Sequence, residues 1–460
     1  MNGTVHIIGG GLAGCEAAWQ VLQSGYKVAL HEMRPKSMTP AHQSGALAEL
    51  VCSNSLKSML PDSAPGLLKA EMVALDSVTL KSALEAKVPA GQALAVDREV
   101  FSASISRALH SHANFQRLDE EVLALPTAAE IAASGDIWII ASGPLTSPGL
   151  AAAIEQLCPP NARRLYFYDA IAPVIAADSI DMNHAFRASR YDKDDGSGDG
   201  DYLNLPLNRE EYDAFIEAVR TAEYMPLHAF EETRYFEACL PIEVMVERGP
   251  QTLRFGPMKP VGLIDPRTGR RPWANLQLRQ ENVEGTMFSM VGFQTKMKWP
   301  EQKRVFSMIP ALKEAEFLRF GSVHRNTYVK SPDALSSDLS FKSNPRVFLA
   351  GQVTGVEGYT ESAAIGLLAG RAAVAKLQGK TFVMPPKTTM IGALGHYVTF
   401  GNLGEFQPMN ANLGLMPAEA RGKGETKSDR KRRQCDAARL AFREYLGRMG
   451  SVISDFESIT

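Results

Sequence analysis

Three glycines and an acid define the first chemistry open to this sequence. Gly9, Gly11 and Gly14 lie in the run Gly9-Gly10-Gly11-Leu12-Ala13-Gly14, which fits G-x-G-x-x-G, and Glu32 follows at the end of the next apolar segment. Gly9 permits a tight turn, Gly11 lets the backbone approach a pyrophosphate, and Gly14 lets a helix pack on a strand. Glu32 is placed to accept hydrogen bonds from an adenosine ribose. The thiols are the other reactive groups: Cys15, Cys52, Cys158, Cys239 and Cys435. They are scattered, odd in number and free of C-x-x-C, which suits a reducing cytoplasm better than a disulfide framework. The nine histidines form no ligand-spaced cluster with cysteine, so no metal is expected.

Glycines alone are weak evidence, and the elements around them decide. Thr4 to Ile8 reads as a buried strand, Cys15 to Gln23 as a helix closed by Gly25, and Tyr26 to His31 as the next strand. The helix N-terminus offers amides and positive dipole to an anion. An irregular stretch, Arg34 to Leu60, follows and reads as a functional loop. Asp136 to Ser142 is a further apolar strand, leading to Gly143-Pro144. Arg346 to Ala350 is another; it ends at Gly351-Gln352 and passes Gly355, Gly358 and Glu361 into a small-residue helix, Ser362 to Leu377. Such widely separated strands predict one interrupted sheet. The fold expected is α/β: a two-part, glutathione-reductase-like, Rossmann-like FAD-binding domain (1–165 and 330–460) with an inserted α+β domain (166–329). A fingerprint alone does not separate FAD from NAD. The late turn favours flavin, because amides near Glu361 and Ser362 would face the electron-rich end of its ring. The plain alternative for Gly351 to Gly370 is helix packing by small residues.

Net charge is −2, with 45% apolar and 22% charged residues. The charge is uneven: Arg254 to Arg304 holds ten Lys/Arg against four Asp/Glu, and Arg421 to Arg433 seven against two. That asymmetry points to an anionic partner, or more plainly to solvated faces. The second basic run is expected to precede an amphipathic helix, Gln434 to Met449. Asp192 to Asp201 superficially fits a calcium loop, but its twelfth position is Leu203 where a glutamate is needed. No signal peptide and no membrane span are expected.

Several long runs are similar to signatures of the folate- and FAD-dependent tRNA uracil-5 methyltransferases (TrmFO). They are Glu49-Leu50-Val51-Cys52-Ser53-Asn54-Ser55-Leu56-Lys57, Phe236-Glu237-Ala238-Cys239-Leu240-Pro241-Ile242-Glu243, Phe255 to Leu263, Met290 to Thr295, Gly351 to Tyr359 and Phe406 to Asn410. The resemblance implies that reduced FAD takes a one-carbon unit from methylenetetrahydrofolate and passes it to carbon 5 of the tRNA T-loop uridine at position 54. NADPH or NADH supplies the electrons. Carbon 5 of uracil is a poor nucleophile until a thiolate adds to carbon 6, so such an enzyme needs a reactive cysteine and a base. The resemblance implies Cys239 as nucleophile and Cys52 beside the flavin, as base or thiol partner. Without that context, both would read as small core residues.

Cofactor contacts are expected from Gly9, Gly10, Gly11, Leu12, Ala13, Gly14, Glu32, Gly351, Gln352, Glu361 and Ser362. Tyr359 and Trp299 are candidates to stack on the pterin. Lys259, Arg270, Arg271, Arg279, Lys296 and Lys298 are candidate tRNA phosphate contacts. Leu205 stands where relatives often carry cysteine, and nothing in the chemistry depends on it. Alternatives are the same chemistry on an rRNA uridine, an FAD-stabilised RNA-binding chaperone, and a small-molecule flavin oxidoreductase. A glucose-inhibited-division-like wobble modifier shares the fold and folate donor but is usually longer, with different cysteine motifs.

Overall fold

Val5–Ile8 forms the middle of a six-stranded sheet. It pairs in parallel with Val28–Glu32 on one side and Ile137–Ile140 on the other. Asn344–Leu349 pairs in parallel with Ile137–Ile140, so the late strand joins the early ones as expected from their composition. Phe115–Asp119 closes one edge in parallel and Ser340–Phe341 the other, antiparallel. The computed structural model describes residues 3–162, 165–192, 200–225, 240–401, 406–417 and 424–449.

Because these strands are parallel, their carboxyl ends share one edge. Gly9, Ala141-Ser142-Gly143-Pro144 and Gly351 therefore emerge side by side, which is where open α/β sheets bind ligands. The helices Leu12–Gln23 and Tyr359–Leu377 cross above that edge. A Cβ on Gly366 would lie 2.2 Å from the Ala13 carbonyl oxygen, and one on Gly370 2.7 Å from that of Ala17. Small residues at these two positions do serve helix packing. Gly351, Gly355 and Gly358 differ, with φ of 77°, 90° and 119° in the turn itself.

A second core is built from residues between Ile175 and Phe317. Its antiparallel sheet runs Phe186–Arg187, Tyr202–Leu207, Ala274–Gln280, Met287–Met290, Val174–Ala176, Phe317–Arg319. Alternation separates the two faces of this sheet. Leu203, Leu205, Leu207, Leu276 and Leu278 enter the core, which makes Leu205 a packing residue. Asn275, Gln277 and Arg279 take the other face. There Asn204 Oδ1 accepts from Asn275 at 2.9 Å and Gln277 at 3.1 Å. The antiparallel pair Leu165–Ile171 and Ser322–Tyr328 carries the chain in and out.

The C-terminal helix starts earlier than expected. It spans Lys427–Arg448, so half of the basic run lies inside it, not before it. Thr426 and Asp429 form a capping box that fixes this start, and Lys and Arg are good helix formers. The acidic stretch 193–199 lies outside the described residues.

Candidate active site at the domain junction

The cleft at the sheet edge, partly open to solvent, spans about 1040 Å³ and runs from Glu32 and Arg34 past Gly9, Gly11, Leu12 and Ala13 to Gly351, Gln352, Tyr359 and Ser362. A Cβ on Gly11 would meet no protein atom within 4 Å, so this glycine faces open space. On Gly14 it would lie 1.9 Å from the Gly9 carbonyl oxygen, so that glycine serves the packing of helix on strand. No side chain caps the helix behind Gly11, which leaves its first turn to a ligand. At Gly358 the Glu361 carboxylate and Lys57 Nζ crowd the start of the second helix. A glycine cradle, one open helix N-terminus and an acid beyond the second strand fit a dinucleotide.

The acid is itself restrained. Arg34, 2% exposed, donates to Glu32 through Nε at 2.9 Å and Nη2 at 3.0 Å, and Gly10 N–H donates to Glu32 Oε2 at 2.7 Å. Burial opposes ionisation of Glu32, but Arg34's hydrogen bonds and charge outweigh it and hold the carboxyl below its ordinary value. Glu361 does not line the cleft, contrary to its expected place there. It is buried, taking Lys57 Nζ at 2.6 Å and Ala411 N–H at 3.0 Å on Oε1. Ser362, one residue on, does line it.

Cys52 does not line the cleft itself but follows Val51, which does, and contacts Tyr359, another lining residue. Its N–H donates to the Tyr359 hydroxyl at 2.6 Å, which ties the two motifs that carry these residues. Its carbonyl accepts from Arg98 Nη2 at 3.0 Å and Arg319 Nη2 at 2.8 Å. Arg98 also donates to the Leu50 carbonyl and, through Nε, to Glu281 at 2.7 Å. Arg319 Nη1 reaches the Val51 carbonyl at 3.2 Å. Arg279 is 8% exposed and donates to Asn54 Oδ1 at 2.8 Å. Its place on the polar sheet face makes it a residue of this junction and not of the surface, as the basic run had suggested. Three arginines from two domains thus hold one loop by its carbonyls and by Asn54, leaving the thiol of Cys52 uncommitted to that scaffold. Arg98, Arg319 and Arg34 were not singled out from sequence. Only the strand alternation around Arg279 carried a signal for this cluster.

The insert approaches the Cys52 loop from outside the cleft, which is lined by residues between 8 and 150 and between 351 and 362. Trp299, 56% exposed, stacks on Phe320 at 5.9 Å, and Phe320 follows Arg319. Gln302 ties the helix Trp299–Phe306 to the connection after Arg319 through Gly321, donating at 2.9 Å and accepting at 2.7 Å. Cys239 lies outside the described residues, and the residues that follow it in its motif pack on the insert. Ile242 N–H donates to the Gln294 carbonyl at 2.9 Å, and buried Glu243 accepts from Thr295 Oγ1 at 3.1 Å and from Lys296 N–H. Lys296 Nζ lies 5.0 Å from the Tyr224 ring, and Lys298 pairs with Glu223 at 2.8 Å. Lys259, Arg270 and Arg271 stand elsewhere, exposed in a second cleft of about 1700 Å³.

Cys15 is buried under the fingerprint helix, and burial pushes its thiol up to about 12; Cys435 is fully buried. Neither borders the cleft. Among the described residues no metal-ligating cluster occurs, and no helix is long and apolar enough to cross a membrane.

Comparison with known proteins agrees with this architecture. The family described as "Glucose inhibited division protein A" matches residues 4–381. The solved structure of GidA from Aquifex aeolicus superposes with a TM-score of 0.69 at 16% identity, covering 99% of this chain and 75% of that one. The TrmFO methyltransferase of Heliobacterium modesticaldum is 53% identical, over 95% of this chain and 96% of its own. That of Sulfurihydrogenibium sp. is 49% identical, over 98% and 99%. With the cleft, the insert and half-identity along nearly its whole length, the chain belongs to the glucose-inhibited division protein A family and, among its relatives, to the methylenetetrahydrofolate–tRNA-(uracil-5-)-methyltransferases, TrmFO.

Proposed function

We propose that the chain performs the reaction for which these relatives are named, on the T-loop uridine of tRNA, giving ribothymidine. The observation that carries this reading is Cys52: a free cysteine in an arginine-held loop, bonded through its N–H to Tyr359, where the dinucleotide cleft meets the insert. FAD bound in the cleft supplies a reduced carrier between methylenetetrahydrofolate and uracil, with NADPH or NADH as the source of electrons.

The chain's own residues do the rest. Gly11 and the helix behind it receive the pyrophosphate, and Glu32 offers its carboxylate to the ribose. Tyr359 and Ser362 border the other end of the cleft. The Cys239 thiolate adds to carbon 6 of the uracil, which makes carbon 5 nucleophilic. In this reading Cys52 acts as base and removes the carbon 5 proton after transfer, and release of Cys239 then restores the ring. Exposed Trp299 and half-buried Tyr359 offer flat faces to the pterin. The uridine must leave its loop to arrive here, as base-modifying enzymes require. Four described cysteines are free, consistent with work in a reducing cytoplasm.

The experiment is incubation of the purified protein with unmodified tRNA, NADPH and methylenetetrahydrofolate, with mass-spectrometric mapping of the product. Ribothymidine confined to the T-loop is expected. Product on rRNA fragments but not tRNA moves the target, and no product on either refutes the reading.

A further inference from the structure

We infer that the second cleft is a separate RNA-strand groove that grips phosphates and stacks one unpaired base on Phe255, away from the reacting uridine. This inference rests on the RNA substrate proposed above and adds a contact site to it. The cleft is basic beyond its needs. Asp265 is committed to Arg267, at 2.8 Å, and Glu211 to the cap of the helix Arg209–Arg220. Arg254, Lys259, Arg270 and Arg271 have no carboxylate partner among the described residues.

Its cations are pre-positioned. The Arg254 guanidinium lies 3.6 Å from the centre of the Trp273 ring, and its Nε donates to the Trp273 carbonyl at 2.8 Å. Arg209 approaches the same ring at 5.4 Å. A guanidinium held over an indole loses little freedom when a phosphate arrives. Next to Arg254 stands Phe255, 82% exposed. A fully solvated phenylalanine gains nothing for the fold, whereas a base face would bury it. Free phosphate or an acidic peptide accounts for the arginines but not for this ring. An unpaired RNA strand accounts for both.

The position suits a second contact. Ala274 borders this cleft's wall through Trp273, and Arg279, on the same strand, touches Asn54 beside Cys52. Five residue steps at about 3.4 Å separate them by about 17 Å. One strand therefore spans from the reacting base to the groove, and an RNA bound at both ends is fixed in register.

The test uses the full-length protein and unmodified tRNA transcript. Filter binding is measured between about 50 and 200 mM salt, the range over which phosphate neutralisation is most visible. Arg270→Ala/Arg271→Ala should weaken binding and lower the salt slope by about 0.7 for each single-strand phosphate that is no longer neutralised. Phe255→Ala should weaken binding about 5- to 150-fold, the range expected when a base stack is removed. Phe255→Trp should bind, and its added fluorescence should be quenched by tRNA. Because the ring is solvated, melting temperature should not move in either Phe255 variant. Normal wild-type binding with unchanged variants and no quenching overturns the groove alone. Wild-type protein that neither binds nor methylates tRNA overturns the function on which it rests. Polyglutamate that binds as tightly as tRNA, without dependence on Phe255, assigns the cleft to an acidic protein and also overturns it.

Discussion

Replacing Arg98 with methionine is expected to loosen the Cys52 loop without removing any group that touches substrate. Arg98 is the only side-chain partner of Glu281 among the described hydrogen bonds, and Glu281 is 3% exposed. Breaking a buried pair by removing one partner costs about 3–5 kcal/mol, since the other charge stays buried. Two carbonyl hydrogen bonds, at Leu50 and Cys52, add about 1 kcal/mol each where water does not replace them. Arg279 and Arg319 remain near Glu281 and offset part of this, so about 3 kcal/mol is the expected net cost. Removing Glu281 as well, as Arg98→Met/Glu281→Leu, should recover only about 1 kcal/mol, because an apolar pair replaces the ionic one while buried Arg279 and Arg319 lose the nearby carboxylate. Urea titration followed by flavin fluorescence reads these differences at the cleft. Methylation by Arg98→Met should fall about 100-fold, the scale of an ångström's misplacement at a reacting centre. A cost below about 1 kcal/mol, or strictly additive single variants, would refute the view that this pair carries the junction.

Two glycine substitutions should separate cofactor from fold. Gly11→Ala adds its Cβ only to open space, so it should fold normally yet purify with much less flavin colour; undiminished FAD would contradict the cradle. Gly14→Ala forces a Cβ against the Gly9 carbonyl, so it should lose several degrees in melting temperature as well as cofactor. Tyr359→Phe leaves the Cys52 N–H without its partner, and should cost about 1 kcal/mol and slow methylation while flavin remains bound. Glu32 has a depressed folded-state pKa, so its contribution is present above the unfolded value of about 4.3 and is lost as pH falls through the lower folded value. The stability gap between wild type and Glu32→Gln should therefore shrink on acidification below about pH 4, and a gap independent of pH would show the carboxylate's charge to be irrelevant.

What the sequence made legible is what the backbone itself demands. Gly9 needs φ of 104°, Gly14 leaves no room for a Cβ, and Gly351 turns at φ of 77°; these constraints act locally, so they appear as residue identity at fixed spacing. The late strand was legible because a short apolar run ending in glycine is rare outside a sheet edge. The arginines behind Cys52 were not legible. Arg98 opens a helix and Arg319 ends a short strand, and their targets lie 46 and 267 positions away. No local pattern distinguishes them from surface arginines. Arg279 misled for a related reason: counting charge along a segment ignores which face of a strand each residue occupies. Asn275, Gln277 and Arg279 alternate with Leu276 and Leu278, and that period of two marks a buried polar face.

The junction explains why neither domain suffices. A parallel sheet edge binds a dinucleotide in proteins of many activities, so the cleft alone does not select a nucleic acid. The insert brings exposed cations and aromatic faces, but no flavin cradle among its described residues. Arg319 and Arg279 reach from the insert into the loop that carries Cys52, and Asn54 donates back to the Gln280 carbonyl at 2.9 Å. A bound RNA that displaced the insert by even an ångström would strain these bonds and move the thiol with them. If Cys52 acts as proposed, coupling of this kind would make its reactivity depend on how the insert is seated, and would place discrimination between substrates in the arginines between the domains as much as in the residues that touch the base.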